Sequence, residues 1–248
     1  MTAASSPGIL AVGDQLVSEA RVVGEILAHG GVTLPAGLSS TGRVVAELLS
    51  PPPPTCALTT MNWATSHLVT TSDTVHADVL ITAITADGIE LSVHLVDGFG
   101  RVCEQGTQVW KPTTADIAPV SEAVDFCTVA WGQMLARRLG SDSAFTSSLS
   151  TWDGTIGLRC GELELHLRIY RGRIIDVTRR VPHGATFTFA ASPRLWTELA
   201  FDTDDNFMRR VICGEFSSTG DGYEYLRLTK PLNILMGHIR HIAREARS

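Results

Sequence analysis

Apolar and polar positions alternate with a period of two through Thr74-Val-His-Ala-Asp-Val-Leu-Ile-Thr-Ala-Ile84 and again through Ile89-Glu-Leu-Ser-Val-His-Leu-Val96, the pattern of strands with one face on a core. Ala86-Asp-Gly88 between them is a hairpin signal. Asp97-Gly-Phe-Gly100 is a second, leading to a returning strand over Val102 to Trp110. Upstream, Val12 to Val23 reads as a first strand and Leu58 to Val69 as a mixed one. The pattern changes between Ile26 and Leu49. There Leu34, Leu38, Val45, Leu48 and Leu49 keep helical spacing, with Pro35 in a tolerated first-turn position and Pro51 as the stop. Gly37 and Gly42 each cost an isolated helix about 1 kcal/mol relative to alanine, so burial must hold it. The expected order is strand, buried helix, antiparallel meander.

The second half reads differently. Positions 123, 124, 127, 130, 131, 134 and 135 are apolar at helical spacing after a serine cap at Ser121, and the run ends on Arg137, Arg138 and Gly140. Strands follow at 154–159, 162–170 and 173–179, and a fourth at 185–190 runs into Ser192-Pro193, a cap with proline at the first helical position. Short helices at 194–200 and 206–212, a strand and turn at 214–221, and helical runs at 223–229 and 231–247 complete the chain.

A length of 248 residues with 44% hydrophobic content suits two domains, placed at 1–115 and 116–248. Charge supports that division: residues 1–115 hold 4 Lys/Arg and 10 Asp/Glu, residues 116–248 hold 16 of each. The acidic first half argues against nucleic acid as a partner. Five widely spaced cysteines with no Cys-x-x-Cys pair indicate neither a disulfide framework nor a metal site. With no signal-like start and no transmembrane-length apolar run, a cytoplasmic protein is expected.

Four segments of the first half carry a resemblance: Val12-Gly-Asp14 opening the first strand, Ala28-His-Gly30 before the helix, Ser72-Asp-Thr74 starting a long strand, and Asp97-Gly-Phe-Gly-Arg-Val-Cys-Glu-Gln-Gly106 at the last hairpin. Residues 10 to 111 resemble MaoC-like and related hot-dog proteins that act on acyl-CoA thioesters. The resemblance implies an α+β fold in which an antiparallel sheet wraps round a central helix, and a homodimer, with Val102 to Trp110 as the candidate edge. It also shows a departure. MaoC-like hydratases hold water with an Asp and a His a few residues apart before the central helix, and only Gly24-Glu-Ile-Leu27 stands there. Thioesterase relatives place a carboxylate in the first turns of the helix, where this chain has Gly37, Leu38, Ser39 and Ser40, with Glu47 three turns in. What the resemblance leaves is a thioester cradle from the backbone N–H groups of Gly30, Gly31 and Val32 at a helix N-terminus. His29 stands beside it as a candidate base, and Ser39 or Ser40 as an assistant.

Residues 121 to 248 resemble sterol carrier protein-type lipid-binding domains, on the strand Thr186-Phe-Thr-Phe-Ala-Ala-Ser192 running into a helix and on Gly214-Glu-Phe-Ser-Ser-Thr-Gly-Asp221 running into the terminal helices. The resemblance implies an α/β domain enclosing an apolar tunnel for fatty acyl, acyl-CoA or sterol ligands. Trp196, Leu199, Phe207, Val211, Ile212, Leu232, Leu235 and Ile239 fall on helical faces that would line it. The pairs Arg171/Arg173 and Arg179/Arg180 make the sheet more basic than a pure sterol site requires.

Together these readings describe an acyl-CoA or lipid-binding carrier of fatty-acyl or steroid metabolism, with coenzyme A entering only as part of the ligand and a partner enzyme possible. In the competing reading the protein is an enoyl-CoA hydratase, dehydratase or thioesterase that uses His29 on substrate held by the carrier domain.

Overall fold

The computed structural model describes residues 10–33, 41–50, 52–53, 55–113, 121–204 and 206–247. The chain divides into two compact units, 1–120 and 121–248.

In unit 1 the described elements are β1 (Gln15–Val17), β2 (Arg21–Val22), α1 (Val23–His29), α2 (Thr41–Leu49), β3 (Cys56–Thr65), β4 (Thr74–Thr85), β5 (Gly88–Asp97) and β6 (Val102–Pro112). The strands form one antiparallel sheet in the order β1-β4-β5-β6-β3, with β2 also on β4. Val79 pairs with Val93, which pairs with Gly106, so one face is continuous across the three long strands. On that face Val75, Ala77, Val79 and Ile81 join Ile89, Leu91, Val93 and Leu95, and the core they form includes Val23, Ile26 and Leu27 of α1 and Val45 and Ala46 of α2. Helix α2 lies against β4, β5 and β6.

Two expectations change. The helix anticipated after the His29-Gly-Gly turn is described from Thr41 to Leu49 as α2, while a helix that was not anticipated, α1, occupies Val23–His29 before that turn; Pro35, Gly37 and the other residues from 34 to 40 lie outside the described residues. The open edge beside β6 is β3, because β6 itself is paired on both sides. The Asp97–Gly100 turn forms as its residues predict. The Asp97 carboxylate accepts from the N–H groups of Phe99 (2.9 Å) and Arg101 (3.0 Å) and from Arg101 Nε (2.8 Å). The Arg101 backbone bond first, with the guanidinium and the Phe99 N–H, outweighs burial and holds this carboxyl below its ordinary range.

Unit 2 comprises a 3₁₀ turn at Glu122–Val124, then α3 (Val129–Ser141), α4 (Ser143–Ser148), β7 (Asp153–Cys160), β8 (Leu163–Tyr170), β9 (Arg173–Thr178), β10 (Phe187–Ala191), α5 (Pro193–Phe201), α6 (Phe207–Ile212), β11 (Ser217–Gly220), α7 (Gly222–Arg227) and α8 (Thr229–Glu245). Its sheet runs β11-β10-β7-β8-β9, and among the described residues only β7 and β10 pair in parallel. The first helix starts later than expected. Its cap is Thr128, whose Oγ1 accepts from Trp131 N–H, while Ser121 leads only into the 3₁₀ turn. Ser192 caps α5 through Leu195 N–H with Pro193 behind it, as the Ser-Pro pair predicts. Alternation gives this sheet two characters. Ile156, Leu158, Leu165, Leu167, Ile169, Phe187 and Phe189 are buried on one face; Thr155, Arg159, Glu164, His166 and Thr188 share the other.

Candidate functional site

The His29-Gly30-Gly31 segment closes a helix instead of opening one. Val32 N–H bonds to Leu27 O at 2.9 Å, Gly31 N–H to Ala28 O at 3.2 Å and Gly30 N–H to Ile26 O at 2.9 Å. With Gly31 at φ +65°, these bonds make a Schellman cap, and Val32 and Leu27 both join the core below it. The anticipated cradle is therefore corrected: its three N–H groups are already donated to α1 carbonyls and meet the negative end of that helix. His29 is exposed in the last turn of α1, where a basic residue complements the helix dipole. Ser39 and Ser40 lie outside the described residues.

A titratable group that sequence reading passed over sits under the other helix. Glu104, on the core-facing side of β6, is 1% exposed, and both its carboxylate oxygens accept from Thr65 Oγ1, at 2.9 and 3.0 Å. Burial pushes its carboxyl above the ordinary range, against the pull of the Thr65 hydroxyl and the Arg43 charge. Room for it comes from Gly42 in the first turn of α2, where a Cβ would stand 2.6 Å from Glu104 Cγ and 2.8 Å from Oε1. The signal was present in the alternation of β6, which places Glu104 opposite Leu95 on the apolar face. Gly42→Ala should therefore destabilise unit 1 despite the roughly 1 kcal/mol that alanine gains in a helix, because overpacking costs about 1–3 kcal/mol. Urea melts of Gly42→Ala, Glu104→Ala and the double variant should show the double at least about 1 kcal/mol more stable than the sum of the singles; simple additivity would mean that the two residues do not compete for space.

Beside the Asp97–Arg101 hairpin a cavity of about 310 Å³ is lined by His67, Asp73 and Cys103 together with the Asp97/Arg101 ion pair. Among the described residues no group of three or more His, Cys, Asp or Glu is placed to hold a metal ion.

In unit 2 the residues expected along a tunnel are packed against protein instead. Trp196, Leu199, Phe207, Leu232, Leu235 and Ile239 are each 2% exposed or less, Val211 is half-buried and Ile212 is 82% exposed. Surfaces along an open tunnel would meet solvent, so these six side chains form a filled core. Its centre is aromatic. Phe189 stacks on Phe216 at 4.3 Å, Phe207 lies 5.4 Å from Phe189 and 5.7 Å from Phe216, and Trp196 meets Phe216 at 5.8 Å and Trp131 at 6.5 Å. Inside this apolar cluster the Trp131 indole N–H is buried and has no acceptor among the described residues, an arrangement that costs about 1–3 kcal/mol.

The helices on one side of this core bury few residues fully, although Tyr225 of α7 packs on Phe187 and Phe189 at 6.0 Å and Glu224 accepts from Trp152 Nε1 at 2.6 Å. Helix α6 buries only Phe207 and α7 buries no residue, while Tyr223 (74%) and Leu226 (69%) of α7 are exposed. Arg210 supplies what apolar burial does not. From α6 it reaches Glu198 of α5 at 2.7 Å, Glu215 before β11 at 3.0 Å, Asn206 at 3.1 Å and Asp202 at 3.7 Å.

No protein-family model matches this chain, and no curated protein matches it. Among solved structures it is similar to the crystal structure of sterol carrier protein 2, with 18% identity over 46% of this chain and 97% of that one at a TM-score of 0.40. It is also similar to the unliganded R-hydratase PhaJ1 from Pseudomonas aeruginosa, with 12% identity over 45% and 92% at 0.33. A third similarity is to the MaoC-like dehydratase from Rhodospirillum rubrum, with 16% identity over 45% and 96% at 0.32.

Proposed function

We propose that the protein binds a lipid, a fatty acyl chain or a sterol bearing an oxygen, and that unit 2 receives it into the aromatic core behind α6 and α7. The observation that carries this reading is the Trp131 N–H, a buried donor without an acceptor among the described residues, beside a cluster of aromatic rings. A ligand oxygen would complete that hydrogen bond while its hydrocarbon replaced ring contacts with Phe207 and Phe216. The route in runs past α7, which buries no residue and leaves Tyr223 and Leu226 exposed, because segments with little apolar burial open at lower free-energy cost than the rest of a fold. Unit 1 acts in this reading as a hot-dog-like scaffold. An acyl-CoA head group has no assigned seat, since the backbone donors once expected to hold a thioester are spent in a helix cap.

Titration with a fluorescent fatty acid, beside native mass spectrometry of the purified protein, tests the proposal. Saturable 1:1 binding is expected, weakened about tenfold in Trp131→Phe, which removes one buried hydrogen bond but keeps an aromatic ring. A flat titration and a ligand-free mass would reject it. Turnover of crotonyl-CoA near 10 s⁻¹, a typical enzyme rate, that collapsed in His29→Ala would replace it with the catalytic reading.

A further inference from the structure

The polar face of the unit 2 sheet holds a cavity of about 570 Å³, within the range of small-molecule sites. Its floor is one cross-strand row, Glu164, Arg159, Ala190 and Ser217, each directly paired with the next. Ala190 and Ser217 are too small to fill the row, so a hollow remains between charged walls that include Glu162 and Glu215.

Glu164 is held in a set orientation. The Val181 backbone N–H donates to His166 Nδ1 at 3.1 Å, which leaves Nε2 as the ring's donor, facing Glu164 Oε1 at 2.8 Å. His166 is 2% exposed, and Thr188 Oγ1 reaches the same carboxylate oxygen at 3.5 Å. Two buried side chains thus align Oε1, and Oε2 accepts no hydrogen bond among the described residues. The Arg159 guanidinium also has no protein partner among them.

The charges narrow the ligand. A simple anion on Arg159 would also meet Glu162 and Glu164, and a simple cation on Glu164 would stand beside Arg159. Glu215 is paired with Arg210, a partner it shares with Glu198 and Asp202. We propose that this cavity binds a small zwitterion, its primary ammonium on Glu164 and its oxyanion on Arg159. The forked guanidinium matches an oxyanion in two-point contact, and a carboxylate with one oxygen fixed presents the other to a donor at little entropic cost. This site is on the opposite face of the sheet from the aromatic core and does not rest on lipid binding there.

Isothermal titration calorimetry with phosphoethanolamine as the free probe and dihexanoyl phosphatidylethanolamine as its lipid form tests the inference, with ethanolamine and inorganic phosphate as single-charge controls. Free phosphoethanolamine should bind more tightly than either control, and Arg159→Gln and Glu164→Gln should each weaken it tenfold or more. Glu164→Gln retains an acceptor for His166, and Arg159 is exposed, so both variants should melt as wild type does. Tighter binding of the lipid form that is still lost with Arg159→Gln would support the site and name a headgroup as its source. Binding of the lipid form alone, indifferent to Arg159→Gln, would belong to an apolar interior and overturn the proposal. So would silence with every probe, or equal binding by a single-charge control.

Discussion

Phe207→Ala should cost unit 2 about 3–5 kcal/mol, the usual loss when a buried phenyl ring is truncated. Phe207 is 1% exposed, is the one residue α6 buries, and touches both members of the Phe189/Phe216 stack. For a unit of this size the melting temperature should fall by about 10–20 °C. The second half of the expectation separates a closed core from a ligand site. If apolar ligands enter here, laurate meets in the variant a space already vacated, and in wild type must displace the ring. At a hundredfold excess over its dissociation constant it should return about 2.7 kcal/mol to the variant, and less to wild type. Scanning calorimetry with and without laurate reads both numbers. Equal shifts in the two proteins would put the ligand somewhere other than behind α6.

Arg210→Met should cost about 1.5–3 kcal/mol and loosen the same helix for an electrostatic reason. The Arg210 side chain is 14% exposed, between Glu198 at 26% and Asp202 at 25%. Breaking a fully buried ion pair costs about 3–5 kcal/mol, and the partial exposure of these carboxylates reduces that figure. Burial alone would lower the Arg210 pKa, but the hydrogen bond and charge of Glu198, joined by Glu215, raise it. Burial alone would raise Asp202, but hydrogen bonds from the Asp204 N–H and Asn206 and the charges of Arg210 and Arg240 bring it below its ordinary 3.8. A carboxylate held low in the folded state contributes stability that is present above its unfolded pKa and lost as pH falls through the folded value. Wild type should therefore lose part of the hold on α6 below about pH 4. Arg210→Met should lack much of that acid-dependent part and be cleaved faster by protease between residues 203 and 221 at neutral pH. Matching urea midpoints and matching cleavage rates for the two proteins would remove Arg210 from this role.

Local pattern was sufficient wherever one physical requirement decides the backbone. Period-two alternation over part of each strand, together with the Asp-Gly turns, located β4, β5 and β6 to within a residue or two, because successive side chains of a strand point to opposite faces. The Ser192-Pro193 start of α5 was equally legible, since the serine oxygen serves an N–H that the helix leaves free and proline needs no donor there. Glu104 was legible in principle, as a polar residue on an apolar face, but alternation does not say that a glycine in α2 leaves room for its carboxylate.

The sequence by itself determined the two kinds of sheet, the apolar faces each would bury and most of the turns that join their strands, because these follow from spacing along one segment. Only tertiary structure decided what the ambiguous groups do. Gly30-Gly31 suits either end of a helix, and became a C-terminal cap because Val23, Ile26 and Leu27 are buried before it and Val32 packs beneath it. Trp196, Phe207 and Leu235 have the same sequence signature whether they line a tunnel or fill a core; the distances among rings from α3, α5, α6 and the sheet show the core filled. Helical or strand period selects a face. What that face meets depends on residues tens of positions away, whose side chains compete for the same volume and the same hydrogen bonds.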